Sequence, residues 1–311
     1  MQKYQANGKL LISGEYLVLK GALALAVPCR QGQSLTITEG KDASKMVWTS
    51  LYPNGEKWME LVIDPESLNE DINKKDSDLL KVLKQAVLEQ PDFKEIICGK
   101  HACTQLEFPR EWGLGSSSTL VSLIAQWSGA NPFNLNKTVF GSSGYDIACA
   151  KSWMPIFYKI DEEGQIWDSV HFTPPSASKL VFVYLGKKQN SASEVLNFKA
   201  NKNKFKEEIN IISEISEALL FCDDYADFLT LLDEHEQVMQ FVLQKERVQT
   251  ALFNDYPGVV KSLGAWGGDF VLAGSDMDSG ASRSYFNKLG YETVIPYNEM
   301  VLLNKPKIKK I

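Results

Sequence analysis

The sequence predicts an α+β protein of two domains. Alternating, strand-like stretches dominate between residues 3 and 185, and long amphipathic helical spacing takes over between 202 and 243. The regular strand–helix alternation of a doubly wound parallel sheet is missing, and that pattern of runs argues for α+β. At 311 residues the chain is long for one core and comfortable for two.

The opening stretch, Lys3 to Val27, is apolar and broken at Asn7-Gly8, Ser13-Gly14 and Lys20-Gly21, so it reads as short strands with tight turns. Ser34 to Thr38, Met46 to Leu51 and Trp58 to Ile63 read as further strands of an antiparallel opening sheet. Asp76 to Gln90 carries Leu79, Leu80, Val82, Leu83, Val87 and Leu88 at helical spacing, and Pro91 ends it. Cys98 to Phe108 alternates and leads into a glycine turn. A helix follows to about Trp127 and stops near Gly129-Ala130-Asn131-Pro132. Strands resume at Ile156 to Ile160, Ile166 to Phe172 and Leu180 to Leu185. Pro174-Pro175-Ser176-Ala177-Ser178 is the best linker, dividing the chain into 1–175 and 176–311. In the second part Lys202 to Leu220 and Asp227 to Leu243 read as amphipathic helices. Phe270 to Ala273 reads as a strand, Arg283 to Leu289 as a helix and Glu292 to Ile295 as a closing strand.

Composition narrows the class. The chain is 44% hydrophobic and 23% charged, ordinary for a soluble globular protein. The net charge of −6 argues against a nucleic-acid surface, and the only basic cluster, Lys305, Lys307, Lys309 and Lys310, reads as a solvated end. Five cysteines without a CxxC spacing suggest neither a disulfide framework nor a zinc site, so a cytoplasmic location is expected. The N-terminus lacks the apolar run of a signal peptide, and no stretch is apolar enough to span a bilayer, so no membrane partner is expected.

The chemistry concentrates in Gly113-Leu114-Gly115-Ser116-Ser117-Ser118-Thr119, where two glycines bracket a leucine and four hydroxyl residues open a helix. A helix start offers free N–H groups and the positive end of its dipole, which suits an anion such as a phosphate. Ser116 or Ser117 could instead be a plain helix cap. Two glycines and four hydroxyls exceed what a cap needs, whereas a phosphate cradle needs backbone N–H groups unobstructed by side chains. A second loop, Gly141-Ser142-Ser143-Gly144-Tyr145-Asp146, places Ser143 and Asp146 at capping-box spacing; alternatively, Asp146 accepts the proton of a substrate hydroxyl. Lys9 is either an exposed strand lysine or a cation beside Asp146, keeping it ionised and balancing phosphate charge. Gly264-Ala265-Trp266-Gly267-Gly268-Asp269 is a loop that admits close backbone approach, a weak signal alone. Lys187 to Ser193 either binds an anion or is a solvated loop. His101, His171 and His235 sit in no catalytic pattern and read as structural or exposed. Walker, Rossmann and protein-kinase signatures are absent.

These regions, in this order, resemble the GHMP small-molecule kinases. Asn7-Gly8-Lys9 through Gly14-Glu15-Tyr16 to Gly21 is similar to the opening of the mevalonate and phosphomevalonate kinase branch, and Gly113 to Ser118 to the family's ATP-phosphate loop. Ser143-Gly144-Tyr145-Asp146 resembles its catalytic aspartate motif, and Gly264 to Asp269 its third motif.

The resemblance implies a two-domain GHMP-kinase-like fold with the active site in the interdomain cleft. The 1–175 domain would bind nucleotide and 176–311 would complete the acceptor site. It implies transfer of the ATP γ-phosphate to a small-molecule acceptor of mevalonate type, phosphomevalonate or mevalonate, with ATP and Mg²⁺ as cofactors. Gly113, Leu114, Gly115, Ser116, Ser117 and Ser118 would hold the nucleotide, with the Ser117 hydroxyl near the metal. Asp146 and Lys9 would be catalytic, and Glu15, Ser143, Gly144, Gly267 and Gly268 would face the acceptor. A homodimer is left open.

Two departures stand out. Mevalonate kinases supply a glutamate to Mg²⁺ between the two motifs, yet no Asp or Glu occurs here from Trp112 to Tyr145. The metal would then either rest on phosphates, Ser117 and water or be bound weakly; phosphomevalonate kinases more readily do without that glutamate, which tilts the resemblance towards their branch. Trp266 stands where the third motif usually has glycine. The alternative is therefore a GHMP-fold protein that binds a nucleotide or metabolite with weak or no catalysis. Gly14-Glu15-Tyr16 replaces the opening of the related decarboxylases, so decarboxylation ranks low.

Overall fold

The computed structural model describes residues 1–187, 198 and 205–303. The protein divides into two compact units. The first comprises Met1–Gly8, Gln31–Arg110 and Leu114–Lys151; the second comprises Lys9–Arg30, Glu111–Gly113 and Ser152–Ile311. The single cut expected at 175/176 falls inside the second unit. Strands β1 (Gln2–Ser13) and β2 (Ala24–Glu39) contribute residues to both units.

In the first unit, β3 (Met46–Leu51) and β4 (Lys57–Ile63) form an antiparallel pair. Helices α1 (Asp78–Glu89) and α2 (Phe93–Ile97) lead to β5 (Lys100–Leu106). The strand order is β4-β3-β5-β2. The sequence reading of an antiparallel opening sheet is corrected at one pair, because β3 runs parallel to β5. The intervening segment with α1 and α2 supplies the crossover that a parallel pair requires.

Helix α1 forms because Ser77 caps it, its hydroxyl accepting from Leu80 N at 3.3 Å, and because Leu79, Val82, Leu83, Ala86 and Val87 make one buried stripe. That stripe joins Trp48, Phe93, Val121, Ile124 and Trp127 in the core of this unit. Then follow α3 (Ser116–Ser128), α4 (Pro132–Val139) and α5 (Tyr145–Lys151). The sequence reads Asn131-Pro132 as a stop, but it is also a start. Asn131 caps α4 through Phe133 N and Asn134 N, with Pro132 in the first turn, where its missing N–H is harmless.

In the second unit, β2 residues 24–26 pair with β6 (Ile156–Ile160), which pairs with β7 (Gln165–Ser169). A separate antiparallel sheet has the order β11-β8-β10-β9. Its strands are β8 (Val181–Tyr184), β9 (Gly258–Ser262), β10 (Phe270–Ser275) and β11 (Val294–Pro296). Helices α6 (Lys206–Phe221), α7 (Tyr225–Leu243) and α8 (Val248–Leu252) precede β9, and α7 packs on it. Helices α9 (Ser279–Lys288) and α10 (Tyr297–Met300) complete the described chain. Val181, Phe253, Val260, Val271 and Phe286 lie at the centre of this unit's core.

Asn7-Gly8 does not break β1, which continues to Ser13. The expected helix start at 202–204, the loop from 188 to 193 and the C-terminal lysines lie outside the described residues. The five cysteines are free thiols. Among the described residues no helix is long and apolar enough to cross a membrane.

Candidate active site

In the first unit the hydroxyl-rich loop opens α3. Gly115 is its N-cap, with φ 90° and ψ 45°, and no side chain caps the helix. This left-handed conformation is open to glycine and strained for other residues. Of the four hydroxyls, two turn back into the protein. Ser118 Oγ donates to Gly115 O at 2.9 Å, and Thr119 Oγ1 donates to Gln33 Oε1 at 2.7 Å. Ser116 is half-buried and Ser117 is exposed. The helix start therefore carries no side-chain cap and keeps an exposed hydroxyl, an arrangement that suits an oxyanion. Leu114 is fully buried, so its part in the loop is to anchor it.

Helix α5 packs against α3. Asp146 lies in its first turn, just after Gly144 at φ 92°. Its Oδ1 accepts from Ile147 N at 3.1 Å and from Ser142 Oγ at 3.4 Å. Ser142 Oγ is in turn 2.7 Å from Asn136 Nδ2 and 3.1 Å from Asn136 Oδ1. A carboxylate steered by a serine–asparagine pair is suited to orient a hydroxyl and take its proton. Ser143 and Gly144 are buried beside it. Ser142 and Asn136 are partners that sequence reading passed over; the Asn136–Ser142–Asp146 spacing was visible but has no distinctive pattern.

In the second unit Lys9, Gly113 and Asp269 come together. Lys9 Nζ donates to Gly113 O at 3.0 Å. Gly113 has φ 69°, and a Cβ built on it would lie 2.6 Å from Asp269 Cγ. Asp269 itself has φ 53°, uncommon outside glycine, and is held by two backbone bonds: its N donates to Lys187 O and its O accepts from Leu185 N, each at 2.8 Å. Gly267, with φ 96°, is exposed, and Gly268 is buried. Trp266 is buried at 3% exposure, and its Nε1 has no hydrogen-bond partner.

Glu15 is not open to a ligand. It is 1% exposed, and its Oε1 accepts from Lys261 Nζ at 2.6 Å while its Oε2 lies 3.0 Å from His235 Nε2. Burial works to raise its carboxyl, but the Lys261 ammonium outweighs that and holds it below the ordinary range. The motif position suggested acceptor contact; the folded chain gives this carboxylate to a buried ion pair instead. Among the described residues no group of three or more His, Cys, Asp or Glu could hold a metal ion.

No family model matches the chain, and no curated protein matches it. Solved structures do. A phosphomevalonate kinase from Streptococcus pneumoniae, in complex with phosphomevalonate and AMPPNP, matches with TM-score 0.68 at 18% identity, over 94% of this chain and 99% of that one. A mevalonate kinase from Methanococcus jannaschii matches with TM-score 0.70 at 16% identity, over 94% and 96%. A galactokinase from Lactococcus lactis, complexed with galactose, matches with TM-score 0.68 at 14% identity, over 98% and 94%. The chain has the α+β fold that these GHMP kinases share.

Proposed function

We propose that the protein is an ATP-dependent small-molecule kinase that transfers the γ-phosphate to a mevalonate-type acceptor, phosphomevalonate or mevalonate. The observation that carries this reading is the start of α3: a thirteen-residue helix whose N-terminus has no side-chain cap, behind a left-handed glycine, with Ser117 exposed. Such a terminus favours an anion through its free N–H groups and the positive end of its dipole. The AMPPNP complex among the structures of the same fold supports a nucleotide as that anion.

ATP would supply the phosphoryl group, and the exposed Ser117 hydroxyl would help to hold its Mg²⁺. This chain orients the acceptor hydroxyl through Asp146, itself steered by Ser142. Lys9 bonds the Gly113 carbonyl, and the Asp269 carboxylate fills the space beside Gly113. In phosphoryl transfer, positioning and electrostatics supply most of the catalysis, so a preset loop and an oriented carboxylate are what the protein must provide.

The test is ADP release with mevalonate, phosphomevalonate, homoserine and galactose, for the parent and Asp146→Asn. The reading expects release with a mevalonate-type acceptor and a loss of at least a hundredfold in the variant. No release above background with any acceptor sinks it.

A second reading is favoured by the lack of a carboxylate metal set among the described residues and by the buried Trp266. On it, the fold binds nucleotide or metabolite with weak or no catalysis. Calorimetry with ATP, with and without Mg²⁺, separates the two: metal-independent binding without turnover selects the second.

A further inference from the structure

A buried cluster of charge lies in the second unit, and the proposed reaction uses none of it. Lys261 (β9), His235 and Glu236 (α7) and Glu15 are all at most 1% exposed. Lys261 Nζ donates to Glu15 Oε1 at 2.6 Å and to Ser262 O at 2.9 Å. His235 Nε2 accepts from Gly14 N at 3.1 Å. Glu236 stands beside them with neither carboxylate oxygen hydrogen-bonded; the Ser262 N–H approaches without completing a bond. A fully buried, unpartnered carboxylate is expensive when ionised and is held neutral by its surroundings.

The cluster joins two points that matter to the glycine turn. Gly14 and Glu15 directly follow β1, the strand that carries Lys9. Lys261 lies in β9, and the loop after β9 carries Asp269 before closing through Leu263 N to Phe270 O at 3.1 Å. Lys9 bonds the Gly113 carbonyl, and the Asp269 carboxylate lies close against the Gly113 Cα. The Lys261–Glu15 pair thus ties together the roots of both arms of that clamp.

We infer that Glu236 is a proton-linked positioning residue: while protonated it leaves Lys261 to Glu15 and keeps the Lys9–Gly113–Asp269 clamp set, and on ionising it draws Lys261 away and slackens the clamp. This rests on the kinase reading.

The charged groups that act on Glu236 are Lys261 from β9, Glu15 just after β1 and Arg247 from the turn before α8, while its sequence neighbour His235 stands against Glu15. Burial pushes the Glu236 carboxyl up to about 8 and Glu15 adds to it, while Lys261 and Arg247 pull the other way. His235 cannot take over the titration, because burial and Lys261 lower its own pKa and keep it neutral. Glu236 is therefore neutral at pH 7 and ionises on the alkaline side. Two carboxylates then compete for one ammonium, with no water-exposed route to relieve them.

The experiment measures kcat and acceptor KM for ADP release between pH 6 and pH 9.5, in the parent, Glu236→Gln and Glu236→Met. Gln copies the protonated side chain, and Met removes titration should Gln fold poorly. The parent is expected to lose kcat by about tenfold at pH 9 relative to pH 7, following one ionisation near 8, with acceptor KM unchanged. Glu236→Gln is expected to hold its own pH 7 rate through pH 9. An alkaline limb that survives in both variants overturns the inference, as does a parent without the limb. The kinase reading is checked separately at pH 7: a parent inactive with every acceptor sinks that reading and the inference with it, whereas an active parent whose limb persists in the variants sinks the inference alone.

Discussion

The carboxylate of Asp269 occupies the space that any side chain on Gly113 would need. A Cβ there would lie 2.6 Å from Asp269 Cγ and 2.7 Å from its Oδ2, and the φ of 69° is itself strained for other residues. Gly113→Ala should therefore lower nucleotide affinity and cost about 1–3 kcal/mol of stability. Asp269→Ala opens the space but leaves the φ. In a double-mutant cycle the second substitution should recover part of the loss, and purely additive effects would show that the contact is not the cause.

The four hydroxyls after Gly115 divide by their partners. Thr119 is buried and bonded to Gln33, so Thr119→Val should destabilise the fold by about 1–2 kcal/mol in urea unfolding. Ser117 is exposed at a helix start with no side-chain cap, so Ser117→Ala should leave stability within about 0.5 kcal/mol while weakening Mg²⁺–ATP binding in calorimetry. If Ser117→Ala instead costs a cap's worth of stability, about 1 kcal/mol, the plain capping role returns.

Sequence alone reached the elements whose pattern is local. Helix α1 was legible from its apolar spacing, β3 from Met46 to Leu51 matches residue for residue, and α3 was bounded by its two glycines. Strand β2 was legible in two pieces, up to Val27 and over 34–38, but not as one continuous strand. Its first six residues are all buried, so the alternation that marks a strand is missing there. Strand β9 was passed over because Gly258 and Lys261 interrupt its apolar run, and Lys261 is inside only because Glu15, 246 positions away, receives it. The same distance hid the role of Glu15: the motif names the residue, but its partners come from α7 and β9. Asp269 was visible as the end of a glycine loop, yet its fit against Gly113 is a tertiary fact that spacing does not encode.

The Lys261–Glu15 pair has no solvent to replace either partner, both being buried. Lys261→Met should cost about 3–5 kcal/mol in denaturant unfolding, because it strands the buried Glu15 carboxylate without its ammonium. The double variant Glu15→Gln/Lys261→Met removes both charges and should be markedly more stable than Lys261→Met alone. If the two proteins unfold together, the penalty is lost packing rather than an unpaired charge.

Glu236 also predicts how stability itself depends on pH, whatever the protein catalyses. Its carboxyl titrates near 8 in the folded chain against an ordinary value of 4.5. Between those values the folded state keeps a proton that the unfolded chain has released. Stability therefore falls as pH rises wherever the native state binds more protons. The contribution is complete below about pH 4.5, declines through the window and levels off above about 8, amounting in all to roughly 3–5 kcal/mol. Glu236→Gln carries no such proton. It should therefore be more stable than the parent at pH 8.5, and the difference should shrink steadily towards pH 5. Urea unfolding of both proteins at pH 5, 7 and 8.5 reads this directly. A difference that stays constant across the three would mean that Glu236 keeps an ordinary pKa and that its burial is relieved by bound water.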